Sequence, residues 1–286
     1  MQKVVWYLLL PLAFFAGDRL GGYLLQKQSE RSHFRYSRLY QNKAKADILL
    51  LGNSRGLCLY QPYIEEITHK KTCNLSYNGL PMDAAKALVL DYLDRYPEVK
   101  TLVIDVTMCD RENDPLLTGF LAYTDKSERL NTLIHNKELK AWWGGQVSHL
   151  FRYNNEIFQR ALYYRNKSDE DWLLDRVITE AQIIDTSKST YELDVNPYLI
   201  RQLQETIEAS LEKGVQAHLV IAPYLPGFTV ENLDNLKKAV EKATGLQVLD
   251  YRNSLVDPTF FGDYMHLNKE GSRHFIDMLR KDGVFD

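Results

Sequence analysis

Cysteine is scarce: Cys58, Cys73 and Cys109 are the only three among 286 residues. Their spacing matches no Cys-x-x-Cys pair and no zinc-ligand pattern, so neither a metal site nor a cofactor is expected. An odd count leaves at least one thiol unpaired in a monomer. Cys58 and Cys73 could pair in an oxidising compartment, but three buried thiols packing as small apolar residues is the preferred expectation. A basic surplus is also missing. Lys and Arg number 35 against 38 Asp and Glu, a net charge of −3, which gives no reason to expect nucleic acid as a partner. The chain has no internal repeat and no low-complexity segment. Gly52 and Gly56 enclose Asn53-Ser54-Arg55 without the Lys and spacing of a P-loop, so phosphate binding there is a weak reading. What is present, 45% hydrophobic and 26% charged residues, predicts a packed globular body. The 18 tyrosines serve core packing more often than sugar or lipid contact.

One long hydrophobic run stands at the N-terminus. Residues 4–16 are almost purely apolar and the character resumes at 20–25. As one helix, 4–25 would be ~33 Å long at about 1.5 Å per residue, enough to cross a bilayer. Asp18, Arg19 and the glycines at 17, 21 and 22 weaken its second half. A cleaved signal peptide competes, but Ala13-Phe14-Phe15-Ala16 lacks a clean small-x-small cleavage site, so residues 1–25 are read as an uncleaved membrane anchor. Residues 26–46 then form a helical or extended stalk, and 47–286 the main domain. Lys3 precedes the run and Lys27, Arg31, Arg35 and Arg38 follow it. Counted alone, these charges would keep the domain in the cytoplasm, yet long domains translocate largely regardless of flank charge, which leaves topology open.

Short apolar runs at 47–51, 72–75, 101–106, 215–222 and 246–250 read as strands. Helical periodicity falls between them at 83–96, 197–213, 230–243 and 268–280. Pro97 ends the first, Gly214 ends the second, and Asn268 is placed to cap the last. Strands apolar on both faces and alternating with helices predict an α/β fold, with a five-stranded parallel sheet between two helical layers. Residues of about 110–195, with Pro115, Trp142-Trp143 and Gly144-Gly145, break the rhythm and read as a mainly helical insertion. The tryptophans are more simply core residues than a sugar platform.

Ligands of such folds bind beyond the carboxyl ends of the strands. Ser54 falls there, after strand 47–51 and Gly52, at the expected start of a helix whose N-terminus would favour developing negative charge. Alone it is an ordinary helix cap. Near the other end of the chain, Asp263-Tyr264-Met265-His266 lets Asp263 orient one ring nitrogen of His266 while the other faces outward. A serine hydroxyl needs such a base to act as a nucleophile. Arg55 is read as solvated on the first helical turn.

Three stretches resemble the SGNH (GDSL-like) hydrolase superfamily: Asp47-Ile48-Leu49-Leu50-Leu51-Gly52-Asn53-Ser54-Arg55, Asn74-Leu75-Ser76-Tyr77-Asn78-Gly79, and Asp263-Tyr264-Met265-His266-Leu267-Asn268. The resemblance covers about residues 47–106 and 197–282. It implies a flavodoxin-like three-layer fold, with Ser54 as nucleophile, His266 as base and Asp263 as its orienter. It also implies the backbone N–H groups of Ser54 and Gly79 as oxyanion donors. The family usually completes that hole with an Asn after the third strand. Here the position is Cys109, and Asn78 or Asn113 is left to substitute.

The N-terminal run, Gly52-Asn53-Ser54-Arg55 and Pro223-Tyr224 resemble a membrane-anchored branch that includes polysaccharide O-acetyltransferases. That resemblance implies acyl-ester hydrolysis or O-acyl transfer through an acyl-Ser54 intermediate, on an acylated carbohydrate or small ester. It further implies a periplasmic or extracellular domain and a membrane acyl-donor protein as a partner. A non-catalytic, membrane-tethered subunit for glycan binding or assembly is the alternative, favoured by Cys109 and opposed by the intact Ser54, His266 and Asp263.

Overall fold

A computed structural model describes residues 2–173, 175–184 and 190–286, with the side chains of residues 2–6 and 8 outside that description. The chain divides into two compact units, one of Met1–Lys43 with Asp114–Asp169 and one of Ala44–Asn113 with Glu170–Asp286. In chain order the helices are α1 Gln2–Glu30, α2 Arg35–Tyr40, α3 Gln61–Thr68, α4 Met82–Arg95, α5 Asp114–Leu117, α6 Glu128–Lys137, α7 Leu139–Val147, α8 Glu156–Tyr163, α9 Glu180–Ile184, α10 Pro197–Glu212, α11 Leu233–Thr244 and α12 Lys269–Lys281. The strands are β1 Ile48–Leu51, β2 Thr72–Asn74, β3 Thr101–Asp105, β4 Thr190–Glu192, β5 Gln216–Ile221, β6 Thr229–Glu231 and β7 Val248–Asp250.

The larger unit is the α/β body. Its five-stranded sheet has the order β2-β1-β3-β5-β7 and every pairing is parallel. That is the flavodoxin-like order, with its topological switch between β1 and β3. Strand alternation divides the core into two layers. Ile48, Leu50, Val103 and Val220 share one buried cluster with Ile64 of α3 and Phe275, Ile276 and Leu279 of α12. The intervening Leu49, Leu51, Leu102, Ile104, Leu219 and Ile221 are equally buried, beneath the opposite layer, where α10 packs against α4 and α11. Burial on both faces is why the strands read as continuous apolar runs. The Asn268 side chain caps α12 by accepting from the Gly271 N–H at 3.0 Å.

The smaller unit is helical, and two expectations change there. Residues 26–46 do not form a stalk: α1 runs on to Glu30, and Phe34, Tyr36 and Leu39 are fully buried. The polar composition misleads because its charge is paired internally. Arg35 donates from its backbone N–H and Nε to the Asp169 carboxylate at 2.5 and 3.0 Å, and Ser37 hydrogen-bonds the Tyr123 hydroxyl at 2.9 Å. The helical insertion is also narrower than 110–195. Only 114–169 joins this unit, whereas 170–195 belongs to the α/β body, where β4 pairs in parallel with β6. β6 takes residues assigned to the start of a helix, and α11 begins only at Leu233.

Helix α1 also explains its own charged residue. The Asp18 carboxylate accepts hydrogen bonds from the N–H groups of His149 and Leu150 at 2.8 and 3.2 Å. A Cβ on Gly22 would lie 2.3 Å from the His149 Cβ, so glycine permits the close approach there. Beyond this fastening, Tyr7 and residues 9–17 are all exposed. Among the described residues no helix is long and apolar enough to cross a membrane. The side chains at the start of the expected anchor lie outside those residues.

Cys58, Cys73 and Cys109 are all buried and none forms a disulfide, as expected. One glycine governs how β1 ends. A Cβ on Gly52 would stand 2.6 Å from the Gly56 Cα and 2.9 Å from its nitrogen, and backbone cannot step aside as a flexible side chain can. Gly52→Ala should therefore cost about 1–3 kcal/mol through overpacking and lower the melting temperature by several degrees. An unchanged melting curve would show that the turn has room the geometry denies it.

Candidate active site

The β1–α3 connection carries Ser54 beyond the carboxyl end of the sheet. An Asx turn shapes it: Asn53 Oδ1 accepts from the Arg55 N–H at 2.9 Å. Ser54 precedes a single 3-10 turn, Arg55–Cys58, rather than the α-helix expected there. One such turn sums few peptide dipoles, so the site has little helix macrodipole to draw on. From the adjacent strand β2, Asn74 holds the turn. Its Nδ2 donates to the carbonyls of Gly56 and Leu59 at 3.1 and 3.0 Å, and its Oδ1 accepts from the Ser76 N–H at 2.9 Å.

His266 arrives on the loop before α12. Its Nε2 lies 2.8 Å from Ser54 Oγ, and its Nδ1 lies 2.8 and 3.1 Å from the two Asp263 carboxylate oxygens. A carboxylate only accepts, so Nδ1 carries the proton and Nε2 is left as acceptor for the serine hydroxyl. Asp263 Oδ1 also accepts from the N–H groups of Met265 and His266 at 2.9 and 3.0 Å. Partial burial pulls the Asp263 carboxyl upward, but hydrogen bonding and charge from His266, with the two backbone donors, outweigh it and hold the group at about 2. The stabilisation this gives is complete above the ordinary carboxylate range and is lost as pH falls towards about 2. Asp263 is therefore ionised throughout the neutral range. Arg176, exposed, adds an ion pair to Asp263 Oδ2 at 3.3 Å.

The expected oxyanion donors separate on inspection. Gly79 has φ +67° at the third position of a turn closed by the Leu80 N–H donating to the Tyr77 carbonyl at 3.0 Å, a position that favours glycine. Ser54 and Gly79 line the same cavity of about 370 Å³. Among the described residues neither of their N–H groups donates to a protein acceptor. Asn78 is a correction: it occupies the outer corner of the turn, is exposed, and does not line the cavity. Asn113 does line it, and its amide donates to the Gly79 carbonyl at 2.9 Å, which braces the turn. Cys109 is fully buried, with its Sγ 3.9 Å from the Leu199 carbonyl, and burial pushes the thiol far up.

Several cavity residues had no signal in sequence: Arg111, Tyr191, Leu193 and Met265. They converge because Asp110 fastens β4 to the turn after β3. Its carboxylate accepts from the Tyr191 hydroxyl and, at 2.6 Å, from the Asp194 N–H. A three-residue strand is too short for periodicity to reveal, and no local pattern links Asp110 to Tyr191. Arg55 is a second correction. It is buried at 3% exposure, not solvated.

No family model matches the chain and no curated protein matches it. Two solved structures are distantly similar to the chain. One is provisionally described as a platelet activating factor from Streptococcus pneumonia, with 12% identity, a TM-score of 0.42, and 98% of this chain and 99% of that chain covered. Another is provisionally described as an acylhydrolase from Bacteroides fragilis, with 10% identity, a TM-score of 0.40, and 85% and 89% covered.

The burial of Cys109 decides how a substitution there should act. Cys109→Asn places an amide among apolar neighbours without directing it at the cavity. It should lower the melting temperature and leave turnover of any Ser54-dependent reaction no higher. A rise in turnover would show that the side chain does reach the oxyanion position.

Proposed function

We propose that the chain is a serine-dependent acyl-ester hydrolase or O-acyltransferase working through an acyl-Ser54 intermediate. The observation that carries this is the continuous hydrogen-bonded line from Ser54 Oγ through His266 to Asp263, with both links at 2.8 Å. That distance lies within the reach that proton transfer needs. Ser54 Oγ attacks the ester carbonyl carbon while its proton passes to His266 Nε2. Asp263 keeps the imidazole in the required tautomer and stabilises the imidazolium that forms. The developing oxyanion faces the N–H groups of Ser54 and Gly79. Collapse breaks the ester C–O bond, and the alkoxide leaves with the proton from Nε2. His266 then takes a proton from an incoming hydroxyl, which attacks the acyl-serine; the acyl C–Oγ bond breaks and Nε2 returns the proton to Ser54 Oγ.

Water as that hydroxyl gives an esterase, and a sugar hydroxyl gives a transferase. The cavity of about 370 Å³, with apolar Leu80, Met108 and Leu193 beside polar Arg111 and Tyr191, accepts a small acyl group together with a polar alcohol. Acetyl groups on cell-envelope glycan, delivered by a membrane acyl-donor protein, are the substrate class favoured by the resemblance in sequence. A membrane-attached chain, with the α/β body outside the cytoplasm, goes with that class. Support for attachment comes from α1, where Tyr7, Leu10, Leu12, Phe14 and Phe15 are more than half exposed. A helix apolar on all sides suits lipid better than water. The second reading, a tethered glycan-binding subunit without turnover, draws on Cys109. With no side-chain amide there, the hole rests on two backbone donors, and one donor is typically worth about 10²–10³ in rate.

Hydrolysis of a short-chain aryl ester separates the readings. Ser54→Ala and His266→Ala should each cut it to a similar small residual rate, because the two act as one unit. Asp263→Asn should leave a small residue of rate, about 10⁴-fold below wild type. Equal surface-glycan acetylation in wild-type and Ser54→Ala cells, with no ester hydrolysis by either protein, would favour the binding subunit. Attachment is checked separately: the full-length chain should remain with membranes through high-salt and carbonate washes. Recovery in the soluble fraction, or of a form cut near Ala16, would contradict the anchor.

A further inference from the structure

Arg55 sits next to the nucleophile, yet its side chain runs inward and reaches three other parts of the α/β body. Nη2 donates to the carbonyl of Ala222 at 2.5 Å and to that of Pro223 at 3.3 Å, just past the end of β5. Nη1 donates to the carbonyl of Met265, one residue before His266. The guanidinium carbon lies 3.5 Å from the centre of the Tyr224 ring, and Nε stands 4.0 Å from Asp105 Oδ2 at the end of β3. Nε itself has no hydrogen-bond partner among the described residues. A fully charged group with one unmatched donor is an expensive thing to bury for packing alone.

The arrangement has a geometric consequence. Asp263 holds the loop carrying the base through the N–H groups of Met265 and His266, while Arg55 takes the carbonyl of Met265. Ser54 and Arg55 are covalent neighbours. The separation of Ser54 Oγ and His266 Nε2, residues 212 positions apart, is therefore bridged by one side chain whose guanidinium is held on several sides. A planar guanidinium can donate in two directions and stack on an aromatic face at once; a lysine ammonium offers neither the fork nor the plane.

We infer that Arg55 is a positioning residue for the proton transfer, a strut that sets His266 against Ser54 by holding the Met265 carbonyl to the end of β5. The inference rests on the acyl-transfer reading and adds to it a role for a residue outside the triad. Arg55 also borders the cavity, so a direct hold on substrate is the competing role, and the two predict different kinetics.

Arg55→Lys and Arg55→Gln should be measured on the aryl ester, in the otherwise wild-type chain and in the His266→Ala background. Displacement of a catalytic group by about 1 Å costs on the order of 10²-fold. Accordingly kcat should fall by about that factor with KM within about twofold. With His266 already removed, the further loss should shrink to less than about threefold, because residues acting through one another do not add. An equal fractional loss in both backgrounds would overturn the proposal, as would a raised KM with kcat retained. If neither variant folds, as judged by circular dichroism and thermal melting, Arg55 is a folding element and the proposal is likewise overturned. Absence of turnover in the wild-type chain, measured first, would instead remove the acyl-transfer reading itself.

Discussion

The proposed chemistry depends on a single 2.8 Å hydrogen bond, from Ser54 Oγ to His266 Nε2. Its partners lie near opposite ends of the α/β body's sequence and approach only because parallel strands deliver all their carboxyl ends to one edge of the sheet. Much of the local structure serves that approach. Gly52 lets β1 turn sharply, Asn74 pins the resulting turn from β2, and Asp263 gathers two backbone N–H groups and the imidazole around one carboxylate. The Asp263 carboxyl, held at about 2, stays ionised through the neutral range as acceptor for the imidazole.

The oxyanion side is more sparsely furnished. Ser54 and Gly79, the proposed backbone donors, line the cavity, while the side chain at position 109 is turned away towards α10. Asn113 touches the hole indirectly, by holding the Gly79 carbonyl. Backbone donors fixed by two turns need no reorganisation when charge develops. On the proposed reading the site would run with two donors, at a lower rate than one furnished with three.

The sheet and the candidate residues Ser54, His266 and Asp263 were legible in the sequence because each rests on a local pattern. The strands are apolar runs bounded by polar residues or glycine, and Asp263 stands three residues from His266. What was not legible depends on partners distant in the chain. Arg35 looks like a residue of a solvated stalk until Asp169, 134 residues on, neutralises it. Asp18 looks like a flaw in a membrane helix, yet its carboxylate is taken up by the backbone at 149 and 150. Arg55 reads as a surface charge because the carbonyls it binds lie 167 and 210 residues away. Asn78 does not reach the cavity for a simpler reason: the turn that brings Gly79 to its edge leaves its predecessor exposed.

The central claim is that Ser54 is an activated nucleophile, and covalent labelling tests it most directly. The intact chain treated with a fluorophosphonate near neutral pH should gain the mass of one adduct. Peptide mapping should place that adduct on Ser54, and a chain with His266→Ala should fail to react. A wild-type chain that gains no adduct, or one that carries it on another residue, would contradict the account.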